Sequence, residues 1–153
     1  MINTSWLREK LLFSKTEMSK LKEIISEPSE NLKTDLDLQL KAERIFEILS
    51  QIILDTCTHI IAHSKDTSPP QTYADCIKKL EQLGIVSSHT AEKGISLVKM
   101  RNIVVHQYGN INYDLLFTGL SELHQYFPKY QKEILIWITN LEKEEDKNKK
   151  NQK

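Results

Sequence analysis

Apolar positions recur at helical spacing along most of the chain. Trp6, Leu7, Leu11, Met18, Leu21, Ile24 and Ile25 keep a period near 3.6 with Lys and Glu between them. They predict a first helix over residues 4–26, ended by Pro28 and Ser29. A second helix is expected from Asp35, with Ile45, Ile48, Leu49, Ile52, Ile53, Ile60 and Ile61 on one broad stripe. It stops before Ser64-Lys65-Asp66-Thr67-Ser68-Pro69-Pro70, a loop by composition. A third, shorter helix spans 73–83 and closes on Gly84.

Ser87-Ser88 offers an N-cap for a fourth helix carrying Ile95, Leu97, Val98, Met100, Ile103, Val104 and Val105. The β-branched triplet at 103–105 reads on its own as a strand. No neighbouring stretch offers a strand partner, so a helix buried on most sides and closed by Gly109 is expected instead. The last helical region starts near Asn112. Leu115, Leu116, Leu120 and Leu123 form its first stripe, and Ile134, Leu135, Trp137, Ile138 and Leu141 its second. Pro128 lies between the two and should kink or split the helix. Residues 142–153 are almost purely polar and read as a disordered tail. The expectation is an all-α bundle of four to six helices in one domain over 1–141, followed by that tail.

Composition narrows the functional classes. At 153 residues a single domain can bury a real core. Four Gly and four Pro are too few for a turn-rich all-β fold. Lys+Arg and Asp+Glu balance at 21 each, so no global field draws the chain to nucleic acid or membrane. An RNA-binding surface would have to come from local clustering or from assembly. No run reaches the ~18 apolar residues of a membrane span. Arg8 and Lys10 stand where a signal peptide has its apolar core, so a cytoplasmic protein is expected. Cys57 and Cys76 lack CxxC spacing and read as two reduced thiols, at least one buried.

The chemistry concentrates at residues 100–109, Met-Arg-Asn-Ile-Val-Val-His-Gln-Tyr-Gly. The planar fork of Arg101 suits a phosphate. His106 can move protons near neutral pH, and Tyr108 adds a hydroxyl. Arg101 and Tyr108 are seven residues apart and share a helix face. His106 lies about 140° from Arg101 on an ideal helix and shares a face with Asn102. The three groups converge only if the helix unwinds near Gly109, or if two copies meet across a two-fold axis.

Arg101, four residues, His106, one residue and Tyr108 resembles the Arg-x4-His-x-Tyr motif of HepT-type toxins in the HEPN superfamily of α-helical ribonucleases. Tyr73-Ala74-Asp75-Cys76 and Leu80-Glu81-Gln82-Leu83-Gly84-Ile85-Val86 resemble the family's helix before the motif, and Asp55 and His59 fall where the family tends to carry polar residues. The resemblance covers residues 40–123. It implies a HEPN-type helical homodimer whose two motifs face one cleft and cleave RNA without a metal or cofactor. Arg101 and His106 would be catalytic, and Asn102, Tyr108 and His59 would line or support the site. It also implies a type VII toxin–antitoxin pair, in which a MntA-like nucleotidyltransferase antitoxin adenylylates Tyr108. The alternative is a catalytically inactive HEPN scaffold that partners a nucleotidyltransferase.

Other residues have plainer readings. Taken singly, Arg101, His106 and Tyr108 are a snorkelling Arg and two hydrogen-bonded rings near a helix end. His59 and His63 have the spacing of two helical metal ligands, but no third ligand is evident. His89 and His124 read as surface residues. Lys93 and Lys99 either add charge to an RNA groove or are merely exposed. Trp6 and Trp137 read as core or interface anchors.

Overall fold

The computed structural model describes residues 1–65, 68–106 and 110–153, with Val105 and His106 described by backbone alone. Seven helical segments follow one another among these residues. They are α1 (Thr4–Phe13), α2 (Lys15–Ser26), α3 (Asn31–Thr34), α4 (Leu36–Ala62), α5 (Tyr73–Gln82), α6 (Ser88–His106) and α7 (Tyr113–Asn151). The one-turn α3 aside, these are six helices of ten residues or more, and no strand occurs among the described residues.

The core helix is α4, which packs against each of the other six. Its length and composition would let it cross a membrane, yet 61% of its most apolar window is buried inside the bundle. That is the pattern of a helix apolar on most sides because neighbours surround it. Phe46, Leu49, Leu54 and Ile60 of α4 meet Leu116, Leu120, Phe127 and Tyr130 of α7 in one continuous core. Tyr130 is fully buried, and its hydroxyl lies 2.8 Å from Thr56 Oγ1 and donates to the Ile53 carbonyl at 3.2 Å. Those bonds offset the desolvation of a buried phenol, and burial raises the Tyr130 pKa well above its ordinary value.

Helix starts follow local chemistry. The side chains of Asn3, Asp35, Thr72 and Asn112 each accept a backbone N–H from the first turn of α1, α4, α5 and α7. Ser87 Oγ does the same for Thr90 N–H at 3.2 Å, at the start of α6. Gly84, with φ +72°, follows α5 in the left-handed conformation that favours glycine.

Four expectations are corrected. The first helix is two helices, parted at Ser14, whose hydroxyl donates to the Leu11 carbonyl at 2.6 Å. The helix after Asn112 runs unsplit through Pro128, held by buried Leu123, Phe127, Tyr130 and Ile134 on both sides of the missing N–H. Residues 142–151, expected to be disordered, continue α7 as an exposed helix. Good helix formers extend a helix that the core has already nucleated. Arg8 also grips Glu142 through Nε at 3.2 Å and Nη2 at 2.8 Å, tying α1 to the start of this extension and holding the Glu142 carboxyl below its usual range. Finally, the helix over 103–105 is formed, but at its described side chains, 103 and 104, it is not buried on most sides. Val104 is buried, whereas Ile103 is 48% exposed.

Candidate active site

The site is built on the C-terminal half of α6. That helix runs between α5 and α7 and also touches α4. Two glycines permit the close fit. A Cβ at Gly94 would collide with the Tyr126 hydroxyl, and one at Gly119 would crowd Met100 Sδ and the Phe46 ring. Gly119 therefore lets α7 pass against Met100, the residue before Arg101. Leu97, Val98 and Val104 are buried on the same helix and fix its rotation.

Arg101 is half-buried and turned toward α4. Its Nη2 donates to Gln51 Oε1 at 2.9 Å, Gln51 Nε2 donates to Asp55 Oδ1 at 2.8 Å, and Asp55 Oδ2 lies 3.6 Å from Lys10 Nζ. The guanidinium thus ends a chain of polar groups that crosses α1, α4 and α6. Arg101 Nε is buried without a hydrogen-bond partner among the described residues. The guanidinium is thus anchored at one nitrogen before any anion arrives.

Asn102 projects to the other side of α6 and is exposed. It borders an open cleft of about 660 Å³ whose far wall is the start of α5, at Thr72 and Tyr73. The backbone places position 106 on α6, one turn beyond Asn102, while the His106 side chain lies outside the described residues. Tyr108 and the expected closure at Gly109 also lie outside them. Arg101 and Asn102 are therefore the two motif side chains whose surroundings are defined, and they face different neighbours.

His59 joins α4 to the N-terminus. Its Nε2 accepts the Asn3 backbone N–H at 3.1 Å, and its ring lies 4.8 Å from Trp6 and 4.3 Å from His63, centroid to centroid. Burial, then the His63 charge and the N-terminal ammonium, lower its pKa. Among the described residues its contacts run to α1 and His63 and none to Arg101. No third His, Cys, Asp or Glu joins the two rings as a metal set among those residues. His89, Lys93 and Lys99 are exposed, His124 is half-buried, and Trp6 and Trp137 pack partly buried against the core. Cys57 and Cys76 are both free and buried, with Cys57 donating its S–H across 2.8 Å to Cys76. Burial pushes the Cys57 thiol up, and accepting that bond holds Cys76 down.

Gln51 is the partner of Arg101 that sequence reasoning misses. Its signal was available, because Gln51 and Asp55 are four apart on a helix whose neighbouring positions Leu49, Ile52, Ile53 and Leu54 are apolar and buried. Polar side chains at the edge of such a stripe need polar partners.

A family model described as "Ribonuclease HepT-like" matches residues 15–134. A protein described as tRNA nuclease HepT, from Aphanizomenon flos-aquae (strain 2012/KM1/D3), is 26% identical over 122 residues, covering 76% of this chain and 82% of that protein. Solved structures share the fold. The tri-AMPylated Shewanella oneidensis HEPN toxin in complex with its MNT antitoxin superposes with a TM-score of 0.73 at 19% identity, over 85% of this chain and 96% of the toxin. The Bacillus subtilis cytosolic protein YutE, of unknown function, gives 0.78 at 18% identity, over 91% and 92%. A toxin–antitoxin structure with AMP-PNP gives 0.71 at 20% identity, over 84% and 95%.

Proposed function

The chain belongs to the HepT-like ribonuclease family, and from that premise we propose that it is the toxin of a type VII toxin–antitoxin pair, a metal-independent endoribonuclease of the cytoplasm. The observation that carries this reading is the anchored Arg101. It lies five residues before His106 inside the family match, its guanidinium held in place by Gln51.

In this reading two chains pair so that two copies of the motif face one cleft. Neutral His106 of one copy takes the proton from a ribose 2′-hydroxyl, and the oxygen attacks the adjacent phosphorus. The protonated His106 of the other copy gives a proton to the leaving 5′-oxygen. The bond to that oxygen breaks and a 2′,3′-cyclic phosphate remains. Arg101 holds the non-bridging oxygens as charge grows on them. The nucleophile belongs to the substrate, so RNA is cut and DNA is spared. Asn102 borders the substrate beside His106, and His59 supports α4 from the α1 side.

The neutralising partner in this reading is a nucleotidyltransferase of the MntA type. The fold neighbours in toxin–antitoxin complexes, one of them an AMPylated toxin, support it. AMP transferred to Tyr108 would bring bulk and negative charge to the motif and repel the RNA backbone. Unmodified protein with excess EDTA should cleave labelled RNA to products ending in a cyclic phosphate, and should spare the same strand with a 2′-deoxy sugar at the cleaved position. Cleavage of the deoxy strand, or loss of all cleavage in EDTA, contradicts the mechanism. ATP-dependent gain of AMP mass on wild type but not on Tyr108→Phe tests the switch.

A further inference from the structure

We propose that the cleft between the start of α5 and the end of α6 is a nucleobase subsite. It seats one unpaired base of the RNA beside the scissile phosphate near position 106, with Tyr73 as its stacking platform and Asn102 and Gln71 reading its edge. The inference deepens the ribonuclease reading and rests on it.

Size comes first. The cleft holds about 660 Å³, within the range of sites that take nucleoside-sized ligands. Its described lining comprises threonines, Pro70, Gln71, Tyr73, Cys76 and Asn102, and among these described residues there is no charged side chain. None of them offers a phosphate a cation. The first turn of α5 offers a phosphate little, because the Asp75 N–H is already capped by Thr72. A neutral, planar, hydrogen-bonding group fits these walls and a phosphate does not.

The polar groups match a base edge. Thr72 Oγ1 is committed to the Asp75 N–H, and the Gln71 backbone N–H donates to the Asp75 carboxylate at 3.0 Å. These bonds fix the lip of the cleft. Among the described residues, the side-chain amides of Gln71 and Asn102 have no hydrogen-bond partner, and each offers donors and an acceptor. Tyr73 is 44% exposed, a large ring left at the surface beside these amides. Aromatic faces of this kind hold unstacked bases.

Position completes the case. Asn102 lies four residues, about 6 Å along the axis, before position 106. A base resting against Asn102 therefore places its own ribose and phosphate toward position 106 of the backbone. Stacking on Tyr73 requires a base free of its helix, so cleavage should fall in loops and single-stranded ends.

The test uses full-length unmodified protein and labelled oligoribonucleotides randomised on both sides of the cleaved bond. Wild type should prefer particular bases at one flanking position. Tyr73→Ala should raise KM about tenfold with kcat nearly unchanged and should flatten that preference. Tyr73→Trp should restore both, and melting temperatures should match because Tyr73 is exposed. A Tyr73→Ala protein with wild-type KM and wild-type base preference overturns the proposal while leaving the ribonuclease reading intact. So does a Tyr73→Ala effect confined to adenylylation by the antitoxin, which would assign the cleft to the adenine of ATP. A parallel arm measures fluorescence anisotropy of the same oligonucleotides on His106→Ala. Weaker binding after adding Tyr73→Ala supports the subsite even if wild type cuts nothing, the result that would sink the ribonuclease reading alone.

Discussion

The two sides of the last turns of α6 differ more than their single-residue spacing suggests. On one side Arg101 is half-buried and tied through Gln51 and Asp55 to Lys10, a chain that spans three helices. On the other, Asn102 and Ile103 are exposed and the adjoining cleft is open. One side is organised before any ligand arrives, and the other is left for the ligand to fill. That division suits a site that must hold a cation in fixed geometry yet accept a long, flexible polymer. A preorganised cation stabilises developing charge without reorganising during the reaction. An open cleft costs little folding energy and leaves room for RNA.

Several substitutions break or sharpen this contrast. On the organised side, Arg101→Ala should lower kcat about 100- to 1000-fold, as loss of a charge-stabilising donor does. Arg101→Lys should rescue little, because an ammonium lacks the planar fork that reaches Gln51 and phosphate together. Steady-state cleavage kinetics at matched melting temperature check both. Gln51→Ala should reduce kcat about tenfold, the loss expected when one hydrogen bond to a charged group is removed. KM and melting temperature should move far less, which separates positioning of Arg101 from a merely structural role. Equal losses in kcat and in thermal stability would contradict the positioning role.

Gly94→Ala perturbs the packing that sets both sides. Overpacking against Tyr126 should cost about 1–3 kcal/mol and outweigh the ~1 kcal/mol gained in helix propensity, so denaturant midpoints should fall. The smallest effect concerns His59. Its pKa is lowered from 6.5 in the folded state, so it adds no pH dependence where both folded and unfolded forms are neutral. As pH falls below about 6.5 the unfolded chain binds the proton first, and stability declines until the lowered native value is passed. Protonation also removes the acceptor for the Asn3 N–H. Melting curves between pH 7 and 5 should show this decline, and His59→Asn should flatten it.

What the sequence disclosed was local. Asp35, Ser87 and Asn112 announce helix starts, each a short polar side chain that caps the turn following it. Gly84 marks a stop for an equally local reason. The Ser14 break carried no Gly or Pro, and it depends on how α1 and α2 each settle on α4 and α7. Pro128 and residues 142–151 misled in the same direction, toward less helix than the chain forms. Packing on both sides carried the helix across the proline, and a core-nucleated helix carried polar residues that composition alone assigns to a tail. In the site, the Arg-x4-His-x-Tyr spacing was visible as a motif. The polar edge at Gln51 was readable, but its pairing with Arg101 was not, because the two are fifty residues apart in sequence and meet only once α4 and α6 pack.

The most direct measurement is cleavage of labelled tRNA and mRNA by unmodified wild-type protein, its mass confirmed beforehand, beside His106→Ala in excess EDTA. The account predicts cutting by wild type and a loss of about 100-fold or more in the variant, the range for removing a general acid–base group. Equal cutting by both proteins, or none by wild type of unmodified mass on any RNA, would contradict it.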